Sequence, residues 1–130
     1  MNAYATAQRA YTESSVLTAS PERLIVMLYD GAIRFLNQSV AAMRAGSRDK
    51  AREKMRRAEA IVDELNLSLD MSHGEIPQSL REIYLFCKRQ LHTANVEGEP
   101  ARIESVTRLL ADLRESWNEL AVQAEATRVA

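Results

Sequence analysis

The chain has 130 residues and a formal net charge of −1 with a pI near 6.1, which bounds it to one domain with a core of its own and points away from a general nucleic-acid or anionic-membrane binder. Cys87 is the only cysteine, so an internal disulfide is excluded, and a reducing compartment fits. No apolar run approaches the ~18 residues of a membrane span, and the opening "MNAYATAQRAYTES" lacks the apolar core of a secretory signal, so a cytoplasmic protein with no direct membrane insertion is expected.

Residues 1–20 read as a separate N-terminal segment, a short helical or extended piece whose large side chains are Tyr4 and Tyr11. Four helices follow, near 21–44, 48–71, 77–96 and 100–124, and 125–130 read as a flexible tail. Proline and glycine set these limits. Ser20–Pro21 is an N-cap followed by proline at the first helical position; "AGSRD" at 45–49, "SHGEIP" at 72–77 and "EGEP" at 97–100 interrupt the chain, with Ser47 expected to cap the second helix. No alternating strand pattern is present. The short loops predict an antiparallel, up-down four-helix bundle, all-α in class.

The helices differ in their apolar faces. The second carries Ala51, Met55, Ala58, Val62, Leu65 and Leu69; the third Leu80, Tyr84, Cys87, Leu91 and Ala94; the fourth Ile103, Val106, Leu110, Leu113, Trp117 and Leu120. Each is a single seam. The first helix is wider. Arg23, Asp30, Arg34 and Asn37 form one polar ridge, with Leu24, Leu28 and Phe35 on one flank and Tyr29, Ile33, Leu36 and Val40 on the other. Such an arc belongs either to a central helix between several neighbours or to a helix with one flank kept for a partner. Leu67, Leu85 and Phe86 fall off their seams, and together with the second flank of the first helix they could form a groove for an amphipathic helix.

Nothing in the sequence marks an enzyme. The two histidines, His73 and His92, stand three residues after Asp70 and Arg89, which rules out the paired Glu-x-x-His motif of a di-iron bundle. No phosphate loop, nucleophile elbow or metal spacing occurs; no catalytic residue, metal or cofactor is expected. The basic run "RDKAREKMRR" at 48–57 is interrupted by Asp49 and Glu53 and has no aromatic interleaving, so it reads as a solvated face and no nucleic-acid partner is expected. Two other readings remain open: a structural homodimeric bundle, and an RNA- or membrane-surface adaptor using 48–57.

"TASPERLIVMLYDGAIRFL", "AEAIVDELNLSLD", "GEIPQSLREIYLFCKRQLHTAN" and "LLADLRESWNEL" occur in this order. Together they resemble the FliS family of flagellar export chaperones from about Tyr11 to about Leu120. The resemblance implies a cytoplasmic helical bundle that binds the disordered C-terminal segment of flagellin in hydrophobic grooves. The bound client would be kept from premature polymerisation and fit for type III export. It also implies a contact with the cytoplasmic domain of the export gate protein, and an N-terminal segment that can cover the client site. It places Tyr11, Tyr29 and Ile33 at that site; the helical wheel alone adds Leu36, Leu67, Leu85 and Phe86. A monomer or weak dimer is expected in the absence of client.

Overall fold

The computed structural model describes residues 19–129. Four α-helices account for nearly all of them: α1 (Pro21–Arg44), α2 (Arg48–Leu67), α3 (Glu75–Glu97) and α4 (Pro100–Val129), with one 3-10 turn at Met71–His73 before α3. No strand occurs among the described residues. Tyr4, Tyr11 and the expected N-terminal cover lie outside the described residues.

The helix ends follow local chemistry. The Ser20 hydroxyl accepts the Arg23 backbone N–H at 3.1 Å, and Pro21 occupies a position whose N–H has no helical partner. Gly98 closes α3 in the left-handed region (φ +69°) and donates its N–H to the Ala94 carbonyl at 2.8 Å. Ser47, in contrast, makes no side-chain capping bond. The second helix ends at Leu67, short of the expected 71. There Ser68 returns its hydroxyl to the Leu65 carbonyl at 2.7 Å, and the Asp70 carboxylate accepts the Ser72 N–H at 3.1 Å, starting the 3-10 turn. Pro77 lies inside the first turn of α3, where its missing N–H leaves no bond unmade.

Cross-links between α1 and α4 run in opposite order along the two helices: Arg23–Glu125, Asp30–Arg114 and Arg44–Glu104. The two are therefore antiparallel. The Ser39 hydroxyl donates to the Ala51 carbonyl at 2.8 Å from α1 to α2. Lys88–Asp63 joins α3 to α2 at 2.6 Å. α1 packs along both α2 and α4, while α3 closes the bundle more sparsely against the same two. α1 and α3 are thus diagonal partners across the core.

Most seam positions are buried as their spacing predicts, Cys87 among them as a small core side chain. The fourth helix departs in two ways. It continues through residues expected to be a tail, with Glu125 held 2.7 Å from Arg23. Its seam also shifts: Leu120 is exposed and Ala121 is fully buried instead. A straight α-helix turns about 20° away from a seven-residue repeat in each heptad. Over two heptads the drift reaches about 40°, while Ala121, five full turns after Ile103, returns to the buried line in place of Leu120.

At the other end of the bundle Arg48 plugs the α3–α4 connection. Its Nη2 donates to the Asn95 carbonyl at 2.6 Å, placing a cation at the negative end of α3. A Cβ on Gly98 would lie 2.6 Å from Arg48 Nη1, so a side chain there displaces the guanidinium as well as straining φ.

Candidate functional site

The wide apolar arc of α1 is used by its neighbours. Gly31 faces α2 closely enough that an added Cβ would stand 3.2 Å from Ile61 Cδ1. Phe35 lies half-buried on that flank, with Lys54 Nζ and the Arg57 guanidinium each 5.8 Å from its ring centre. Tyr29 and Leu36 are fully buried. The Tyr29 hydroxyl lies 2.6 Å from that of Tyr84, with ring centres 6.5 Å apart. Burial, then the facing Tyr84, raise the Tyr29 pKa far above the ordinary phenol value. Burial also raises Tyr84. Both phenols are neutral core groups that satisfy each other.

Tyr29 and Leu36, expected at the client site, are core side chains in this structure. α4 covers the flank that the wheel left without a partner, and both side chains lie beneath the surface. Ile33 is half-buried and packs on the edge of the core. Tyr11 lies outside the described residues.

The other three positions are exposed. Leu67 stands on the last turn of α2 with 80% of its surface in solvent; Leu85 and Phe86 on α3 retain 39% and 44%. They do not form one row. Leu85 shares an open cleft of about 340 Å3 with Met71, Gln78, Arg81 and Glu82. Phe86 lies one residue on, about 100° round the helix, in the row of Ile83 and Gln90. That row faces α4, where the Gln90 side-chain carbonyl accepts from Arg102 at 3.1 Å.

Two further residues belong with them. Met71 in the 3-10 turn and Ile76 at the start of α3, 74% exposed, carry large apolar side chains in a segment otherwise made of turn residues. Sequence reasoning placed Met71 at the end of the second helix and treated "SHGEIP", with Ile76, as punctuation, and so passed over both. The available signal was that a solvated turn has no use of its own for a methionine and an isoleucine. Leu67, Met71, Ile76 and Leu85 give the α2–α3 end of the bundle a discontinuous apolar surface, and Phe86 is exposed midway along α3 on the adjoining side toward α4.

The titratable groups among the described residues are dispersed over the bundle. His73 Nε2 lies 3.0 Å from an Asp70 carboxylate oxygen on an exposed turn. The Ser72 hydroxyl and backbone N–H, which Asp70 accepts, hold its carboxyl below the usual range. Burial pushes the Cys87 thiol up to about 11, which leaves it protonated. Glu59 is raised by burial between α2 and α3, with Lys88 opposing. No group of three or more potential metal ligands occurs among the described residues. Among the described residues no helix is long and apolar enough to cross a membrane.

Comparison with known proteins bears on this surface. The sequence model of the family described as "Flagellar protein FliS" matches residues 3–124. The flagellar secretion chaperone FliS of Salmonella typhimurium is 35% identical over 114 residues, covering 86% of this chain and 84% of the relative. That of Campylobacter jejuni is 32% identical over 115 residues, covering 88% and 90%. That of Bacillus subtilis is 30% identical over 116 residues, covering 89% and 86%. Matched along nearly its whole length, the chain therefore belongs to the FliS family of flagellar secretion chaperones, a family of chaperones and not of enzymes.

Proposed function

We propose that this protein is a cytoplasmic export chaperone for flagellin. It binds the disordered C-terminal segment of the newly made subunit, keeps it from polymerising, and presents it for type III export through contact with the cytoplasmic domain of the export gate protein. The observation that carries this reading is the exposed apolar set Leu67, Met71, Ile76, Leu85 and Phe86, on a chain of a flagellar secretion chaperone family. A disordered client can lay amphipathic helices over such a surface and fold as it does so. Leu67, Leu85 and Phe86 contact the client. Ile33 borders the contact at the edge of the core. Tyr29 and Leu36 act from below, by fixing α1 in the bundle, and Tyr11 joins from the N-terminal segment.

Covering a fully exposed Leu, Ile or Phe contributes about 1.5–3 kcal/mol. Several such contacts offset the cost of ordering the client, about 2–5 kcal/mol. The test is a calorimetric titration of the C-terminal segment of flagellin into the intact protein, with circular dichroism alongside. A one-to-one complex, a negative heat-capacity change and a gain of helix are expected. No heat and no gain of helix at tens of micromolar protein would overturn the reading.

A further inference from the structure

A second surface lies away from the residues assigned to the client. Between α1 and α2, near the loop that joins them, an open cleft of about 510 Å3 is lined by Gln38, Ala41, Ala42, Ala45, Ser47, Lys50 and Lys54. Its floor is apolar, and Phe35 continues that floor along α1 toward Lys54 and Arg57. Its rim is basic. Lys50 and Lys54 line the cleft itself, Arg34 stands one turn before Gln38 on α1, and Arg57 stands one turn beyond Glu53 on α2. Of the acidic side chains beside this rim, Glu53 is already bonded to Arg57 at 3.1 Å, and Asp30, one turn before Arg34, to Arg114 at 2.9 Å. Arg34, Lys50 and Lys54 have no carboxylate partner among the described residues. The face thus offers four cations against two carboxylates, each already paired.

We infer that this α1–α2 cleft docks an acidic amphipathic helix of a second protein, separate from the flagellin segment. Shape and charge select that occupant together. Alanines at 41, 42 and 45 let a helix axis approach closely. The row from Arg34 to Ala45 is about 17 Å long, the length of three helical turns. Glutamates flanking the apolar stripe of the incoming helix would meet Lys50 and Lys54 on one side and Arg34 on the other. Such pairs fix register and speed association more than they add affinity, which suits a partner that must come and go while the client stays bound.

The probe is a labelled helical peptide of about 18 residues with an Ala/Leu stripe flanked by glutamates; its twin carries lysines in their place. Fluorescence anisotropy at about 50 mM and about 300 mM salt reads the affinity for the full-length chaperone. Saturable binding of the glutamate peptide is expected, several-fold weaker at the higher salt, with none of the lysine peptide. Lys50→Glu with Lys54→Glu reverses the rim and weakens binding at least about tenfold. Ala41→Gln fills the cleft without changing charge and weakens it comparably. The affinity for the C-terminal segment of flagellin is unchanged in both variants.

Equal binding of both peptides overturns the inference, as does a loss in the charge variant alone, which would mean unspecific attraction. Loss of flagellin affinity in these variants assigns the cleft to the client and overturns a separate partner. A doubled solution mass that Ala41→Gln returns to monomer assigns it to a second copy of this chain. Failure of flagellin to bind the unaltered protein concerns the export-chaperone reading and leaves the peptide result standing.

Discussion

Replacing Gly98 by alanine separates two costs that the structure superimposes at one residue. The first is backbone strain. Gly98 has φ +69°, and an L side chain in the left-handed region costs about 1–2 kcal/mol. The second is displacement. The new Cβ would lie 2.6 Å from Arg48 Nη1 and 3.1 Å from Cζ. Those atoms end a flexible side chain, so the guanidinium swings aside and the backbone stays. What is lost is the 2.6 Å bond to the Asn95 carbonyl, with the Arg48 Nε already buried and unpaired. A hydrogen bond to a charged group contributes about 1.5–3 kcal/mol. The sum is about 3 kcal/mol, a fall in Tm of roughly 10 °C for a chain of this size. The assay is a four-member cycle: the parent, Gly98→Ala, Arg48→Ala and the double variant, melted by circular dichroism and unfolded in urea. In the Arg48→Ala background the glycine substitution costs only the backbone share, about 1–2 kcal/mol, giving a coupling of about 1.5 kcal/mol. Equal costs of Gly98→Ala in both backgrounds would refute the argument that Arg48 occupies the space glycine leaves.

Further outcomes follow from neighbouring features. Leu67→Asp changes stability by less than about 0.5 kcal/mol and weakens flagellin-segment binding at least about tenfold, whereas Leu65→Asp, two residues away but buried, unfolds the bundle; urea titration and calorimetry read both. Tyr29→Phe leaves the Tyr84 hydroxyl unpaired and costs about 1–2 kcal/mol, while the double Tyr29→Phe, Tyr84→Phe variant costs less than the two single changes added, measured by urea unfolding. Cys87 and both tyrosines have raised pKa values in the folded state, so the unfolded chain ionises first; stability is full below about pH 8.5, the ordinary thiol pKa, and falls as pH rises through 9 to 11, which a pH series of urea midpoints checks. Thiol-specific reagents label Cys87 in the native protein only as fast as the bundle opens, and at the free-thiol rate in urea.

The four helices were legible because the punctuation is strong. Ser20–Pro21, Gly98 and Pro100 fall where the chain turns, and the seams of α2 and α3 are the buried faces. The end of α2 was not legible, since Leu69 continues its period beyond the last helical turn and still packs on the core. The capping chemistry of Ser68 and Asp70 decides that boundary, and periodicity carries no information about it. The last turns of α4 were hidden for the opposite reason. "AVQAEATRV" has helix-forming residues but no seam, and an ion pair to Arg23 from outside the segment ties it down. α1 shows the limit for sites. A wheel reveals that an arc is too wide for one neighbour, but not whether the second neighbour is another helix of the same chain. Here α4 fills that place, so Tyr29 and Leu36 are core. The exposed positions at 67, 85 and 86 were visible because they break their own seams, while Met71 and Ile76 stand where no seam exists to break.

The paired hydroxyls of Tyr29 and Tyr84 also constrain how this sequence can drift. They join the diagonal helices α1 and α3 across the core, with Trp117 of α4 as a further hydrogen-bond partner of Tyr29. Loss of one phenol removes a buried partner of the other, a penalty neither residue incurs while both remain or once both are gone. A lineage leaving this arrangement must therefore cross a less stable intermediate or change both codons nearly together. The two positions are 55 apart in the chain yet bound to a common fate. Descendants should divide into those that keep both hydroxyls and those that keep neither.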